Sequence, residues 1–153
     1  MRIEDIKANE YNPYYKRYLD QLDASTELIS GFEEGKSRVI QFFKSIPEEK
    51  LDYRYAADKW TVKEVFQHLI DTERIFSYRA FRIGRGDITS LVGFDQNDYI
   101  LPSNANEKSR SDLLNEFEAT RNNSITILKI LNDQNLRNIG TASNTSMSAR
   151  FAA

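Results

Sequence analysis

The chain contains no cysteine and only one histidine, His68, among its 153 residues. The absence of cysteine excludes disulfide bonds, thiolate metal sites and a cysteine nucleophile. A zinc-type site needs three or four ligands, so a metal held by this chain would combine one imidazole with carboxylates or water. The surroundings of His68 are therefore the main functional question.

Long apolar runs and an excess of charge of one sign are also missing. No run of about eighteen apolar residues is present, which excludes a membrane-spanning helix, and the N-terminal segment lacks the apolar core of a signal peptide. The 21 basic and 23 acidic residues are scattered along the chain and give a net charge of -2. A nucleic-acid-binding surface would need a concentrated basic patch. These absences predict a cytoplasmic protein without a membrane or nucleic-acid partner.

The stretch from Trp60 to Gly86 carries the clearest helical pattern. Thr61 and Glu64 have the spacing of a capping box, in which each side chain satisfies a backbone amide at the start of a helix. Apolar residues then recur at steps of three and four, and His68 lies on the flank of that apolar face. The helix is expected to end near Gly84, because glycine commonly follows the last helical turn.

Two further long helices are expected, one on each side of this stretch. The first ends before Pro47, and Gly35 in the middle of its apolar face indicates close approach of a neighbouring helix. The third begins near Ser109 or Ser111 and ends near Asn132. On its apolar face, small hydroxyl residues either bond back to their own helix or line a polar pocket; these are Thr120 and Ser124. The cap candidates for the first helix are Asp23, Ser25 and Thr26.

The whole chain, residues 1–153, is predicted to form a single all-α domain. Residues 1–22 form an aromatic N-terminal arm, and residues 87–108 form a long loop that crosses one end of the helices. The last segment, TASNTSMSARFAA, resembles the opening of a fourth helix. We expect that helix to be truncated after Ala153, which leaves a groove for the rest of the helix or for a partner chain.

Several candidate functional residues lie along the helix that carries His68. Glu64 and Arg79 share the flank of His68, and Asp71 lies one step further towards solvent. A histidine at the edge of a bundle core, near carboxylates, fits an inward-facing metal ligand. It equally fits a histidine that is hydrogen-bonded to a neighbouring carboxylate or carbonyl. No general base can be assigned from the residues.

The segment KWTVKEVFQHLIDTERIFSYRAFRIGRGD resembles the second helix of the DinB/YfiT-like four-helix-bundle family. The resemblance extends to EYNPYYKRYL, to the loop that contains Phe94, to FEATR, and to NIGTAS followed by SMSARFAA. It implies an up-down-down-up bundle in a bacterial, cytoplasmic homodimer. It also implies a divalent metal (Zn, Ni, Fe or Mn) on three histidines. The ligand of the second helix maps onto His68, whereas the family's His-x-x-x-His pair is absent from this chain.

Two functions follow from these observations. The first is a metal-dependent enzyme, a thiol S-transferase or hydrolase, that acts on a small molecule such as a low-molecular-weight thiol. His68 would bind the metal, Asp71 would support His68 or be an ordinary surface acid, and Arg79 or Arg121 would steer an anionic substrate or form structural ion pairs. The second is a non-catalytic bundle that binds a small ligand or acts as an interaction module.

Overall fold

A computed structural model describes residues 1–153, and the chain is mostly helical. Three long helices make up its body: α2 (Leu28–Ser45), α3 (Val62–Gly84) and α5 (Arg110–Lys129). The shorter elements are α1 (Lys16–Leu19), α4 (Asn97–Ile100), α6 (Asp133–Arg137), β1 (Ile139–Ala142) and β2 (Thr145–Ser148). None of the helices combines the length and the apolarity that crossing a membrane requires.

Helix α3 begins at the predicted capping box. The Thr61 side chain accepts a hydrogen bond from the Glu64 backbone N–H at 3.1 Å, and the Thr61 N–H donates to the Glu64 carboxylate at 2.7 Å. The helix ends at Gly84, and Gly86 follows with a φ of 81°, a conformation that glycine adopts without steric cost. Both ends therefore confirm the sequence prediction.

Helix α5 begins as predicted but ends three residues earlier than expected. The Ser109 hydroxyl accepts from the Asp112 N–H at 3.1 Å, which completes a second capping box. At the other end the helix stops at Lys129, and the Asn132 side chain instead accepts from the Asn135 N–H at 2.9 Å. Asn132 is thus the N-cap of α6, because its side chain suits that position better than the end of a helix.

The predicted start of α2 was wrong. Asp23 accepts from the Ser25 N–H at 2.8 Å and closes a local turn, and the helix begins only at Leu28, after Glu27. The Leu28 N–H donates to the backbone carbonyl of Met1 at 3.0 Å, so the N-terminal arm supplies the partner that a capping side chain would have supplied. The expected close approach at Gly35 is present, because a Cβ there would lie 3.3 Å from the Arg121 Nη1 atom of α5.

The core lies between the three long helices. The Phe43 and Phe66 rings stack with their centroids 3.8 Å apart, and Phe117 of α5 lies 5.5 Å from Phe66. The second half of α3 buries Ala80 and Ile83 against a different partner, the C-terminal strand pair. One helix therefore contributes to both of these clusters, and His68 lies in the first half of that helix, next to Phe66 and Ile70 of the cluster between the long helices.

The segment predicted to open a fourth helix first forms two strands, so the chain is mostly helical rather than all-α. A single helical turn follows at Ser148, whose carbonyl accepts from the Ala152 N–H at 3.0 Å and whose hydroxyl accepts from the Phe151 N–H at 3.1 Å. Strands β1 and β2 pair antiparallel, with Ala142 opposite Thr145. The two turn residues, Ser143 and Asn144, have φ values of 50° and 60°. This is the left-handed geometry that matches the twist of a two-residue hairpin, and asparagine tolerates it well. The buried side chain of Met147 supplies the apolar contact that holds the hairpin on α3.

The loop at residues 87–108 has regular structure of its own. It contains α4 and two 3-10 turns. Near its start the Leu91 N–H donates to the Thr141 carbonyl at 2.9 Å, and the Ser143 N–H donates to the Leu91 carbonyl at 3.0 Å. The loop is therefore tied to the hairpin, and both are fixed beside α3.

Candidate functional site

A cavity of about 770 Å³ opens beside His68. Tyrosines of the N-terminal arm form one wall, and one face of α3 forms the opposite wall. Phe94 and its neighbours in the loop, together with Ser143 of the hairpin turn, complete the lining. A larger cavity of about 890 Å³ lies between the arm and α2 and does not include His68. Of these two cavities, only the His68 cavity combines the single histidine with tyrosines of the arm.

His68 is half-buried on the wall of this cavity. Its Nδ1 atom lies 3.3 Å from the hydroxyl oxygen of Thr72, one helical turn further along α3. The Trp60 ring packs against the imidazole with a centroid separation of 5.0 Å. Burial lowers the pKa of His68, and the nearby Asp71 charge opposes that effect only in part. The imidazole is therefore neutral at neutral pH, which is the form that binds metals.

The carboxylates near His68 are engaged elsewhere. Glu64 accepts from the Asn106 side chain at 2.8 Å in addition to its capping bond. Asp71 accepts from Gln67 and from Arg74, each at 3.1 Å. No group of three or more His, Asp or Glu side chains is arranged to hold a metal. The residues present thus provide one imidazole and do not by themselves fit a zinc-type site, which needs three or four ligands.

The two arginines predicted to steer a substrate have different surroundings. Arg121 forms a two-pronged ion pair with Glu73, at 2.7 and 2.8 Å, between α5 and α3. Arg79 lines the His68 cavity and donates through Nη2 to the Val92 carbonyl and to the Ser143 hydroxyl. Of the two alternatives that the sequence allowed, Arg121 has the geometry of a structural ion pair. Arg79 forms no ion pair and lines the cavity.

Most of the chain matches a known protein family. A family model described as the DinB superfamily matches residues 32–153. The chain belongs to the DinB superfamily. This confirms the resemblance seen in the sequence.

The fold of this DinB chain resembles that of YfiT from Bacillus subtilis, which is described as a probable metal-dependent hydrolase with an unusual four-helix bundle topology. The TM-score is 0.72 and the sequence identity is 18%, and the match covers 94% of this chain and 81% of YfiT. At that identity the likeness shows the fold alone. No functionally curated protein shows significant similarity to this sequence.

A polar network lies on the side of α3 next to the His68 cavity. Glu116 of α5 accepts from Lys108 at 2.7 Å, from Gln67 at 3.0 Å and from Arg74 at 2.7 Å. Burial alone would raise the pKa of the Glu116 carboxyl, but the hydrogen bonds from these three donors outweigh it and lower the pKa to about 2. Gln67 and Arg74 of this network also donate to the Asp71 carboxylate, and Asp71 makes no hydrogen bond to His68.

Sequence reasoning missed several residues of the DinB cavity. Thr72 stands four positions after His68, a spacing at which helical side chains meet, so this contact was detectable. Ser143 has no such local signal, since its position depends on the hairpin turn. The arm tyrosines Tyr14, Tyr15 and Tyr18 were noted only as an aromatic group, and their place in the cavity follows from packing.

Proposed function

We propose that this DinB-superfamily chain binds a small molecule in the His68 cavity, and that His68 serves there as one ligand of a divalent metal. The chemistry would be of the hydrolase or thiol S-transferase type. The observation that carries the proposal is a neutral, half-buried imidazole on the wall of a cavity of about 770 Å³. Cavities of roughly 300–1,000 Å³ are typical of small-molecule sites. The description of YfiT as a probable metal-dependent hydrolase supports the metal.

The other metal ligands must come from donors that are not gathered around His68 in this arrangement. Substrate atoms, water or a second chain are such donors. The metal identity (Zn, Ni, Fe or Mn), the homodimer and the cytoplasmic location stay predictions from the family resemblance.

A metal-content measurement tests the role of His68. The purified chain is loaded with each of the four divalent metals and desalted, and bound metal is measured by mass spectrometry. We expect His68→Ala to lose the metal, whereas Leu69→Ala, which truncates the exposed neighbour on the same cavity wall, should retain it. Equal metal content in the wild type and in His68→Ala would rule out the ligand role.

A turnover assay then separates an enzyme from a binder. The metal-loaded protein is assayed for ester hydrolysis with p-nitrophenyl acetate and for conjugation of common cellular thiols to an electrophile. Turnover that is lost in His68→Ala supports the enzyme. A metal-loaded protein without turnover would favour the second function, a non-catalytic ligand binder. That function is favoured by the engagement of Glu64 and Asp71 in other hydrogen bonds.

A further inference from the structure

Arg79 is a buried cation without an anionic partner. Arg79 is 2% exposed. No carboxylate oxygen lies within 4.0 Å of its guanidinium nitrogens, the distance that defines an ion pair. The two other arginines that anchor the interior of the chain, Arg121 and Arg150, each pair with a glutamate. A buried charge is costly unless it is paired and hydrogen-bonded, so an uncompensated one is unusual in a protein interior.

The hydrogen bonds of Arg79 use only one of its three nitrogens. Nη2 donates to the Val92 carbonyl at 3.2 Å and to the Ser143 hydroxyl at 2.8 Å. Nε and Nη1 have no hydrogen-bond partner in the protein, and neither is sealed from solvent. The loop and the hairpin turn thus hold the guanidinium in place in the lining of the cavity, while its Nε and Nη1 donors have no partner in the protein.

The nearby groups do not neutralise the charge. The Phe76 and Phe94 rings lie 5.0 and 5.9 Å from the guanidinium carbon, within the range of cation–π attraction, but neutral rings stabilise the cation without supplying a negative charge. Asp95 lines the same cavity, but its carboxylate accepts from the backbone and the side chain of Asn97, both at 2.9 Å. Arginine stays protonated under all ordinary conditions. The cavity therefore has one positive charge to offer to a ligand.

We infer that the His68 cavity binds a small organic carboxylate with an apolar body, and that Arg79 binds its carboxylate group. The anion site lies in the cavity of the proposed function and rests on that function, because it names the class of ligand. One free cation matches a monoanion, and the Asp95 charge in the same wall disfavours a dianion. The aromatic rings of the arm and of Phe94 suit the apolar body of the ligand.

Trp60 provides a signal for binding. It is the single tryptophan of the chain, and its ring packs on His68, which lines the cavity. Phenylacetate, its neutral amide phenylacetamide and phenyl phosphate are titrated against the metal-free protein while Trp60 fluorescence and the unfolding midpoint are followed. We expect phenylacetate to shift both signals at millimolar concentration and to bind at least tenfold more tightly than the amide.

Variants assign the effect to Arg79. Arg79→Met should weaken phenylacetate binding by about 10- to 100-fold, the loss expected when a charge-assisted hydrogen bond is removed, and should leave amide binding unchanged. Arg82→Gln is the matched control, because Arg82 lies on the same helix, is paired with Asp87 and does not line the cavity. It should bind phenylacetate like the wild type. Arg79→Lys retains the charge and should show an intermediate loss.

Three results would overturn the anion site. These are equal affinity of the wild type for phenylacetate and its amide, unchanged phenylacetate binding in Arg79→Met, and tighter binding of phenyl phosphate than of phenylacetate. Should Arg79→Met not fold, the wild-type comparison of acid with amide and the Arg79→Lys variant still decide the matter. Failure of the proposed metal role has a different readout, since His68→Ala is judged by its metal content and not by carboxylate binding.

Discussion

The ion pair between Glu10 and Arg150 joins the two ends of the chain, and its disruption should be costly. Glu10 lies in the N-terminal arm, and Arg150 lies just after β2. Their side chains are 7% and 1% exposed. Arg150 Nε donates to one carboxylate oxygen of Glu10 at 2.6 Å, Nη2 donates to the other, and Nη2 also reaches the Asp5 carbonyl at 2.8 Å. Glu10→Gln removes the negative charge and leaves the buried guanidinium unpaired.

The expected loss of unfolding free energy is about 3 kcal/mol, the lower end of the range of roughly 3–5 kcal/mol for breaking a buried ion pair on one side. The lower end applies because the glutamine carbonyl can still accept one hydrogen bond from Arg150. Urea unfolding at neutral pH measures the global change. Because Tyr11 also stacks on Phe151, with ring centroids 5.0 Å apart, amide hydrogen exchange should show whether the arm detaches first.

The same arm contains a matched control. Lys16 and Asp20 form an exposed ion pair with side chains 62% and 57% accessible, so Asp20→Asn should leave the unfolding free energy almost unchanged. Replacing both buried partners, as Glu10→Leu with Arg150→Met, should recover most of the loss, because well-packed apolar side chains replace buried ion pairs without penalty. If Glu10→Gln unfolds within about 0.5 kcal/mol of the wild type and amide exchange of the arm is unchanged, the pair does not hold the termini together.

The pH dependence of this pair has a definite sign. Burial by itself raises the pKa of Glu10, but hydrogen bonds from Arg150, from Ser148 and from the Lys7 N–H outweigh it, and the pKa is lowered. A carboxyl whose pKa is lower in the folded state stabilises the fold above its usual pKa. That contribution is lost as the pH falls through the lowered value. Glu10→Gln should therefore lose less stability on acidification than the wild type.

Two further changes test the core and the polar network. Leu113 is 0% exposed, and Leu113→Ala should lower the free energy of unfolding in urea by about 2–5 kcal/mol. Leu101 is 86% exposed, and Leu101→Ala should change it by no more than about 0.5 kcal/mol. Similar losses at both positions would contradict the observed core. Because the pKa of Glu116 falls from 4.5 to about 2 on folding, its stabilisation is complete above the unfolded value and disappears as the pH drops towards the folded one. Glu116→Gln should flatten the acid side of the stability profile, and Glu118→Gln, at a surface pair with Lys36, should not; equal acid slopes for the wild type and Glu116→Gln would refute the assignment.

Local patterns in the sequence determined the helices that carry the cavity. The capping boxes at Thr61–Glu64 and Ser109–Asp112 depend on residues three positions apart, and the apolar spacing of α3 depends on steps of three and four. Such signals involve only residues that are close in the chain, so they can be recognised without knowledge of the fold. The position of His68 on the flank of α3 follows in the same way, as does the capacity of Thr72 to reach it.

Tertiary structure decided everything that depends on distant partners. The sequence presents Arg79 and Arg121 as equivalent arginines on helices with apolar faces. Packing pairs Arg121 with Glu73, whereas the hydrogen-bond partners of Arg79 are neutral. The hairpin was missed because its left-handed turn at Ser143 and Asn144 is stabilised by burial of β2 against α3. The pair between Glu10 and Arg150 spans 140 positions, and periodicity reports only on near neighbours. Which charges are paired and which is left free for a ligand is therefore a property of the folded chain.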